Sequence, residues 1–391
     1  MTDAIALADP PVARRGAEPV VITAAAVSSA FGRGVAPLLS AALEGTPGFE
    51  TVRRFDVADR RVGVAATLPG SPTLGDELDQ VIHEACDEAG LSSGRRAQCP
   101  LYLAVHGDPD LPRTQGAEAN EHSAAAFARS VAKRAGLSTE AARAYTSACV
   151  AASTAVADAA AAVARGRVSS VVIAAGYLVD PDQFALFDAG RALAPDGRVR
   201  PFSARRGGLL LGDGVGALVV ESTSSAQRRG AKILARLAGW GRAGDAYHVC
   251  RPRPDGAGLA RAITAAMQRA AIRPEAIDYV NAHGSGTEHS DAAEAAALHL
   301  ALGESAATMP VSSTKSVHGQ ALEAGALIEL IVTVHALRAG RLPVNAGYLG
   351  PDEACRLNLV LETGQERPID YALSINSAFG GANTALLVGA P

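Results

Sequence analysis

Residues 148–175 read ACVAASTAVADAAAAVARGRVSSVVIAA, and this stretch decides the fold class. From Ala148 to Arg165 the residues are mostly small, proline is absent, and Gly166 supplies a stop, so the run predicts a helix. A helix of small residues with little polar face is a buried one. Ser170–Ala175 is then a short, largely apolar run of the kind that forms a strand covered on both faces. A buried helix leading into a buried strand predicts an α/β protein.

The alternation extends in both directions. Upstream, strands are predicted near Val20–Thr23 and Pro100–His106, and helices over Val35–Leu43, Asp76–Ala89 and Glu118–Ala135. Downstream, Gly207, Gly208, Gly212, Gly214 and Gly216 break the chain into tight turns before a strand at Gly216–Glu221. A strand at Lys232–Leu237 opens a second half. It continues with a helix at Gly256–Ala271, a strand at Asp278–Asn281, a helix at Asp291–Leu302, a strand at Val311–Ser313 and a helix at Leu322–Ala339. Ala372–Ser377 and Thr384–Val388, around Gly380-Gly381, read as a closing hairpin. The expected division is a flexible leader over 1–18, an N-terminal half over 19–225 and a C-terminal half over 226–391. In the leader, Pro10, Pro11, Arg14 and Arg15 interrupt any periodicity.

Composition excludes several classes. With 391 residues, 48% hydrophobic and 19% charged, the chain can bury a large core. A net charge of -4 with dispersed Lys and Arg makes no electrostatic case for nucleic acid. Cys86, Cys99, Cys149, Cys250 and Cys355 are odd in number and form no CxxC pair, which argues against a disulfide framework and a metal site and fits a reducing cytoplasm. The first residues lack the apolar core of a signal peptide. The apolar stretches at 155–164 and 326–337 are interrupted by Asp158, Glu329 and His335, so neither reads as a membrane span.

Cys149 stands where an apparent turn runs into the small-residue helix. A helix N-terminus favours thiolate over thiol, so this position predicts a nucleophile with a lowered pKa; the alternative is a buried structural cysteine. His283 is delivered by a buried-type strand onto the glycine-rich turn HGSG, where there is room for a substrate. Lys315 follows another strand, with a solvated surface lysine as the alternative reading.

In order, TSACVAAS (146–153), RPFSARRGGLLLGDGVGALVVES (200–222), GDAYH (244–248), DYVNAHGSGTEHSDAAE (278–294), SSTKSVHGQ (312–320) and NSAFGGAN (376–383) resemble the β-ketoacyl-[acyl carrier protein] synthases of fatty-acid and polyketide assembly. The resemblance implies a thiolase fold: two similar halves in a five-layered α-β-α-β-α arrangement, forming a homodimer or a heterodimer. It implies Cys149 as acyl acceptor and His283 as the first active-site histidine. Lys315 would orient the histidines and pair with an acid. The backbone N–H groups of Cys149 and Phe379 would form an oxyanion hole, Phe379 would gate the acyl pocket, and Asp213, Thr287 and Glu323 would be supporting residues. The implied partner is an acyl carrier protein presenting substrate on phosphopantetheine, with no bound cofactor.

Two departures stand out. The family's second histidine is replaced by Gln320, with His318 two residues too early, and Glu323 takes the place of a glycine. An amide donates a hydrogen bond but does not titrate. Decarboxylative condensation with malonyl-carrier is the expected activity. The alternatives are a non-condensing acyltransferase or thioester hydrolase using Cys149 and His283, and a chain-length-type partner of another ketosynthase.

Overall fold

The computed structural model describes residues 18–107 and 123–391. Ten strands carry the architecture: β1 (Val20–Ser29), β2 (Pro100–Ala104), β3 (Ser138–Tyr145), β4 (Ser170–Tyr177) and β5 (Gly214–Ser222), then β6 (Ala235–Gly244), β7 (Tyr279–Asn281), β8 (Pro310–Ser312), β9 (Tyr371–Ser377) and β10 (Ala382–Gly389). Six helices lie between them: α1 (Leu74–Glu88), α2 (Ala124–Arg134), α3 (Ala151–Ala164), α4 (Ala257–Ala270), α5 (Glu288–Leu302) and α6 (Leu322–Ala339). Counting these alone, each half runs β-α-β-α-β-α-β-β.

The duplication is equally plain in space. The first half is ordered β3-β2-β4-β5-β1 and the second β8-β7-β9-β10-β6. In each, the first three strands are parallel and the last two pairings are antiparallel. The halves meet where β1 pairs with β6, at Val21–Arg236 and Ile22–Ala235.

Helices α3 and α6 pack on each other and on strands of both halves, so they form a middle layer. Helix α1 covers β1, β4 and β5 on the outer face of the first sheet, while α2 lies over β2 and β3. Helix α4 covers β6 and β10 on the other side and packs on α5. This is the five-layered arrangement expected above. A layer between two sheets has no solvent face, which is why α6 lacks an amphipathic stripe and is buried over most of its length. The outer layers do have one: Leu78, Val81 and Ile82 of α1 enter a core with Leu101, Leu103 and Val219, and Leu259, Ile263 and Met267 of α4 enter another with Val280, Leu373 and Leu387.

Several elements differ from expectation at their bounds or existence. Strand β3, STEAARAY, has no apolar alternation and is not predicted from the sequence. It lies at the sheet edge, where burial does not select apolar residues. The helix expected from Glu118 is described from Ala124, capped by Ser123, whose hydroxyl accepts from the Ala126 N–H; residues 118–122 lie outside the described residues. Of the leader expected over 1–18, only Glu18 is described. Its N–H donates to Ala164 and its carboxylate accepts from the Ser224 N–H.

Asp213, expected among the supporting residues, ties segments together just before β5. Its carboxylate is 1% exposed and accepts from Arg54 at 2.6 Å, the Leu68 N–H at 2.7 Å and the Val179 N–H at 2.6 Å. Burial raises its pKa, and Arg54 and the two amides oppose the rise. Asp213→Ala strands all three donors, and losing one partner of a buried pair costs about 3–5 kcal/mol. The lower end is expected, because Arg54 keeps 22% of its side chain in water. Denaturant titration followed by the single tryptophan, Trp240, measures it.

Candidate active site

The duplicated fold brings two helix starts together. Cys149 stands two residues before α3 and Gln320 two residues before α6. Each follows a residue in the left-handed region, Ala148 at φ 49° and Gly319 at φ 77°, which turns the chain into the helix. At 319 a Cβ would also approach Leu211 O at 2.8 Å and Gly212 N at 3.0 Å, so glycine is required there. The backbone of Gln320 is fixed by its N–H to Leu210 O at 2.8 Å and by the Gly212 N–H to its carbonyl at 3.0 Å. From this anchor the Gln320 side-chain amide donates to Cys149 Sγ at 3.4 Å. The other end of that amide needs space: a Cβ on Gly325 would lie 2.9 Å from Gln320 Oε1.

His283 stands two residues beyond β7 and is buried. Glu294 of α5 holds its loop, accepting from the His283 N–H at 2.6 Å and the Gly284 N–H at 2.7 Å. Lys315 Nζ lies 3.2 Å from His283 Nδ1 and donates to the His283 carbonyl at 2.8 Å. It is also ion-paired with Glu329, whose second oxygen accepts from Asn376 Nδ2 at 2.6 Å. A lysine ammonium offers only donors, so Nδ1 accepts and the imidazole proton sits on Nε2. Burial, seconded by the charge of Lys315, holds the His283 pKa well below its usual value, and the ring is neutral. Lys315 itself is 1% exposed, which disposes of the surface-lysine reading.

The expected depression of the Cys149 pKa is overturned. Burial pushes the thiol up to about 12; Lys315 opposes the rise, while Glu323 and Glu329 add to it. The helix-end effect is about 1 kcal/mol at exposed sites, and desolvation of a buried anion is larger. Position in the sequence shows the helix end but not the burial.

The remaining predicted residues divide. Phe379 is 56% exposed and stacks on Phe187 with ring centroids 6.4 Å apart. Among the described residues, its backbone N–H donates to no acceptor, and that of Cys149 reaches none beyond its own sulfur. Thr287 shares a 2.9 Å hydrogen bond with Ser285 rather than joining the cysteine cluster. Glu323, in the first turn of α6, is buried and lies 3.3 Å from His106 Nδ1. Asp213 is remote from Lys315 in its bonding; the acid that pairs with the lysine is Glu329.

Sequence reading missed Glu329, Glu294, Asn376 and His106 as members of the site. A signal existed for Glu329: a carboxylate inside an otherwise apolar helix must find a buried partner. His106 stands two residues beyond β2, as His283 does beyond β7, and only the duplicated topology reveals that relation. A buried thiol, a neutral imidazole, an amide donor and two open backbone N–H groups suit covalent acyl transfer.

The chain is similar to known proteins in sequence and in fold. Residues 87–226 match "Beta-ketoacyl synthase, N-terminal domain" and residues 234–348 match "Beta-ketoacyl synthase, C-terminal domain". The putative polyketide beta-ketoacyl synthase 1 of Streptomyces cyaneus is 39% identical over 218 residues, 54% of this chain and 52% of that protein. The 3-oxoacyl-[acyl-carrier-protein] synthase 2 of Staphylococcus aureus is 40% identical over 205 residues, 51% of each. The matched chain thus spans about half the length of these curated relatives. Among solved structures, the ishigamide ketosynthase/chain length factor superposes with a TM-score of 0.86 at 27% identity, covering 96% of this chain and 100% of the other. A beta-ketoacyl synthase from Burkholderia phymatum STM815 gives 0.85 at 25% identity with the same coverage. A type II PKS acyl-carrier protein in complex with its ketosynthase gives 0.83 at 26% identity, again covering 96% and 100%. With both family domains matched in order on a duplicated thiolase fold, the chain belongs to the beta-ketoacyl synthase family.

Proposed function

We propose that this protein is a cytoplasmic carbon–carbon bond-forming ketosynthase that elongates acyl groups carried on the phosphopantetheine arm of an acyl carrier protein. The observation that carries the reading is the Gln320 amide donating to Cys149 Sγ, which brings the residue that departs from the family's pattern into the chemistry. The names of the relatives and the solved complex of a ketosynthase with a carrier protein support the choice of substrate and partner.

In the first step Cys149 sulfur attacks the carrier-bound thioester carbonyl. A bond forms between Cys149 sulfur and the acyl carbon, the carbon–sulfur bond to phosphopantetheine breaks, and the thiol proton goes to the departing sulfur. Exchange of one thiol for another releases no net proton, so a thiol that is neutral in the free enzyme is compatible with loading. The N–H groups of Cys149 and Phe379 take the oxyanion. In the second step malonyl-carrier loses CO2, and the electron pair of the broken bond becomes an enolate whose oxygen accepts from His283 Nε2–H and the Gln320 amide. The α-carbon then attacks the acyl carbonyl, the bond to Cys149 breaks, and the departing thiolate takes up a proton from solvent. Lys315, held by Glu329, keeps Nδ1 occupied so that Nε2 stays a donor.

Edge strand β3 supports the dimer reading, since an open edge with half-exposed side chains is suited to pairing with a second copy or a related subunit. Free cysteines fit the cytoplasm.

Cys149→Ala is expected to abolish acyl adduct formation by intact mass with the fold intact; an adduct that persists sinks the assignment. In the wild type, peptide-mapped alkylation of Cys149 should rise about tenfold per pH unit from pH 7 to 10, because the thiolate fraction keeps climbing below a pKa of about 12. A plateau near neutrality would show a depressed pKa instead.

Gln320→Ala should slow CO2 release from malonyl-carrier by about 10²–10³, the effect of losing one oxyanion-type donor, with acyl loading little changed. Gly325→Ala should do the same without touching a polar group, because its Cβ must displace the flexible end of Gln320. Unchanged rates in both variants would put Gln320 outside the chemistry. A wild type that loads but releases no CO2 would leave the non-condensing acyltransferase.

A further inference from the structure

Among the described residues, Glu323 is the charged side chain acting on Cys149 that the proposed reaction leaves unused. It is 4% exposed, lies three residues after Gln320, and acts on the Cys149 thiol more strongly than Glu329 does. Lys315 offers it no compensation, since that ammonium is committed to Glu329 and the His283 loop. Its Oε1 faces His106 Nδ1 at 3.3 Å, on an imidazole whose side chain is 68% exposed. Its Oε2 is buried and has no partner among the described residues.

Two further polar atoms nearby are in the same condition. Tyr177, the last residue of β4, is 5% exposed with an unpartnered hydroxyl, and Glu323 is among the charges that act on it. Gln320 is 2% exposed and its Oε1 is unpartnered. A buried carboxylate oxygen without a donor is costly, and buried polar atoms in native structures are paired. Two of the three need a donor, since a carboxylate oxygen and an amide oxygen accept only, while the phenol can donate or accept. A hydrocarbon chain would leave all three stranded. A protonated amine brings three donors and the opposite charge.

We propose that Glu323 is a specificity-determining residue, whose free carboxylate oxygen receives a protonated amine on a short acyl group loaded onto Cys149. The inference rests on the acyl-loading step above and adds the substrate class to it. The amine sits within a few bonds of the thioester carbonyl, because Gln320, three residues from Glu323, touches the nucleophilic sulfur. Removal of one charged hydrogen-bond partner changes such a preference by about tenfold to a hundredfold.

The test compares two pantetheine thioesters of the same shape, 3-aminobutanoyl and 3-methylbutanoyl, which differ only in an ammonium for a methyl group. Adduct formation on Cys149 is followed by intact mass in wild type and in Glu323→Gln. Wild type should load the amino compound about tenfold or more faster, and Glu323→Gln should erase the difference mainly by slowing that compound. Faster or equal loading of 3-methylbutanoyl by wild type overturns the amine assignment and leaves acyl loading standing, and this measurement needs no variant to fold. An amine preference that survives in Glu323→Gln overturns the role of Glu323. No adduct from either thioester would sink acyl loading and this inference together.

Discussion

Two helices that share one buried layer govern the rest of the molecule. Helices α3 and α6 lie between two sheets, so neither has a face for water, and both are written in alanine and branched aliphatic residues. Each enters that layer from the strand before it, and the shared order of the two halves makes the entries equivalent. Cys149 and Gln320 meet because they occupy the same place in two copies of one motif. The same constraint sets the protonation of the thiol: a sulfur at the start of a helix with no solvent beside it is desolvated, and desolvation outweighs the helix dipole.

Burial also explains why four polar side chains of the site are linked in one run. Asn376, Glu329, Lys315 and His283 each satisfy the next, and none of the four depends on a surface charge. A buried ion pair contributes little net stability, since desolvation offsets the attraction, but its geometry is fixed by the packing around it. That fixity is what the imidazole requires, because the lysine on one ring nitrogen decides which proton the other presents. Glu294 does the corresponding work on the backbone. Its carboxylate is pushed up to about 8 by burial, against the pull of the His283 loop N–H groups that it accepts from.

Alternation of buried helix and strand was legible because the period and length of apolar runs are properties of local sequence: α6 matches its prediction to the residue and β4, β5, β7 and β8 lie within two, while β6, expected at Lys232–Leu237, runs on to Gly244. Strand β3 was not, since an edge strand of alanine and polar residues carries no such signal. A second half was legible from the repeated alternation, but its likeness to the first came only through resemblance, because the common order of strands is kept while the side chains that fill it differ. In the site, Cys149, His283, Lys315 and Gln320 announced themselves by standing at the ends of strands or before helices. Glu329 stood in plain view as the charge that breaks an apolar run, yet its partner lies fourteen residues away in the chain and is brought near only by the turn before α6. The pKa of Cys149 could not be read at all, for it depends on how much water the whole fold excludes.

The same exclusion bears on what Gln320 costs the proposed reaction. An imidazole at position 320 would share the desolvation of the site and the field of Lys315. The two buried imidazoles on either side of that lysine show the consequence: His283 is held well below its usual pKa, and His318 is brought down to about 3, in both cases by burial first and Lys315 second. A histidine in place of Gln320 would face the same two effects, both of which favour the neutral ring, a donor of one hydrogen bond. Gln320 already supplies such a bond from a fixed backbone, on an amide for which Gly325 leaves room. What the substitution removes is a proton equilibrium that so dry a site does not use; what it keeps is the donor facing the sulfur.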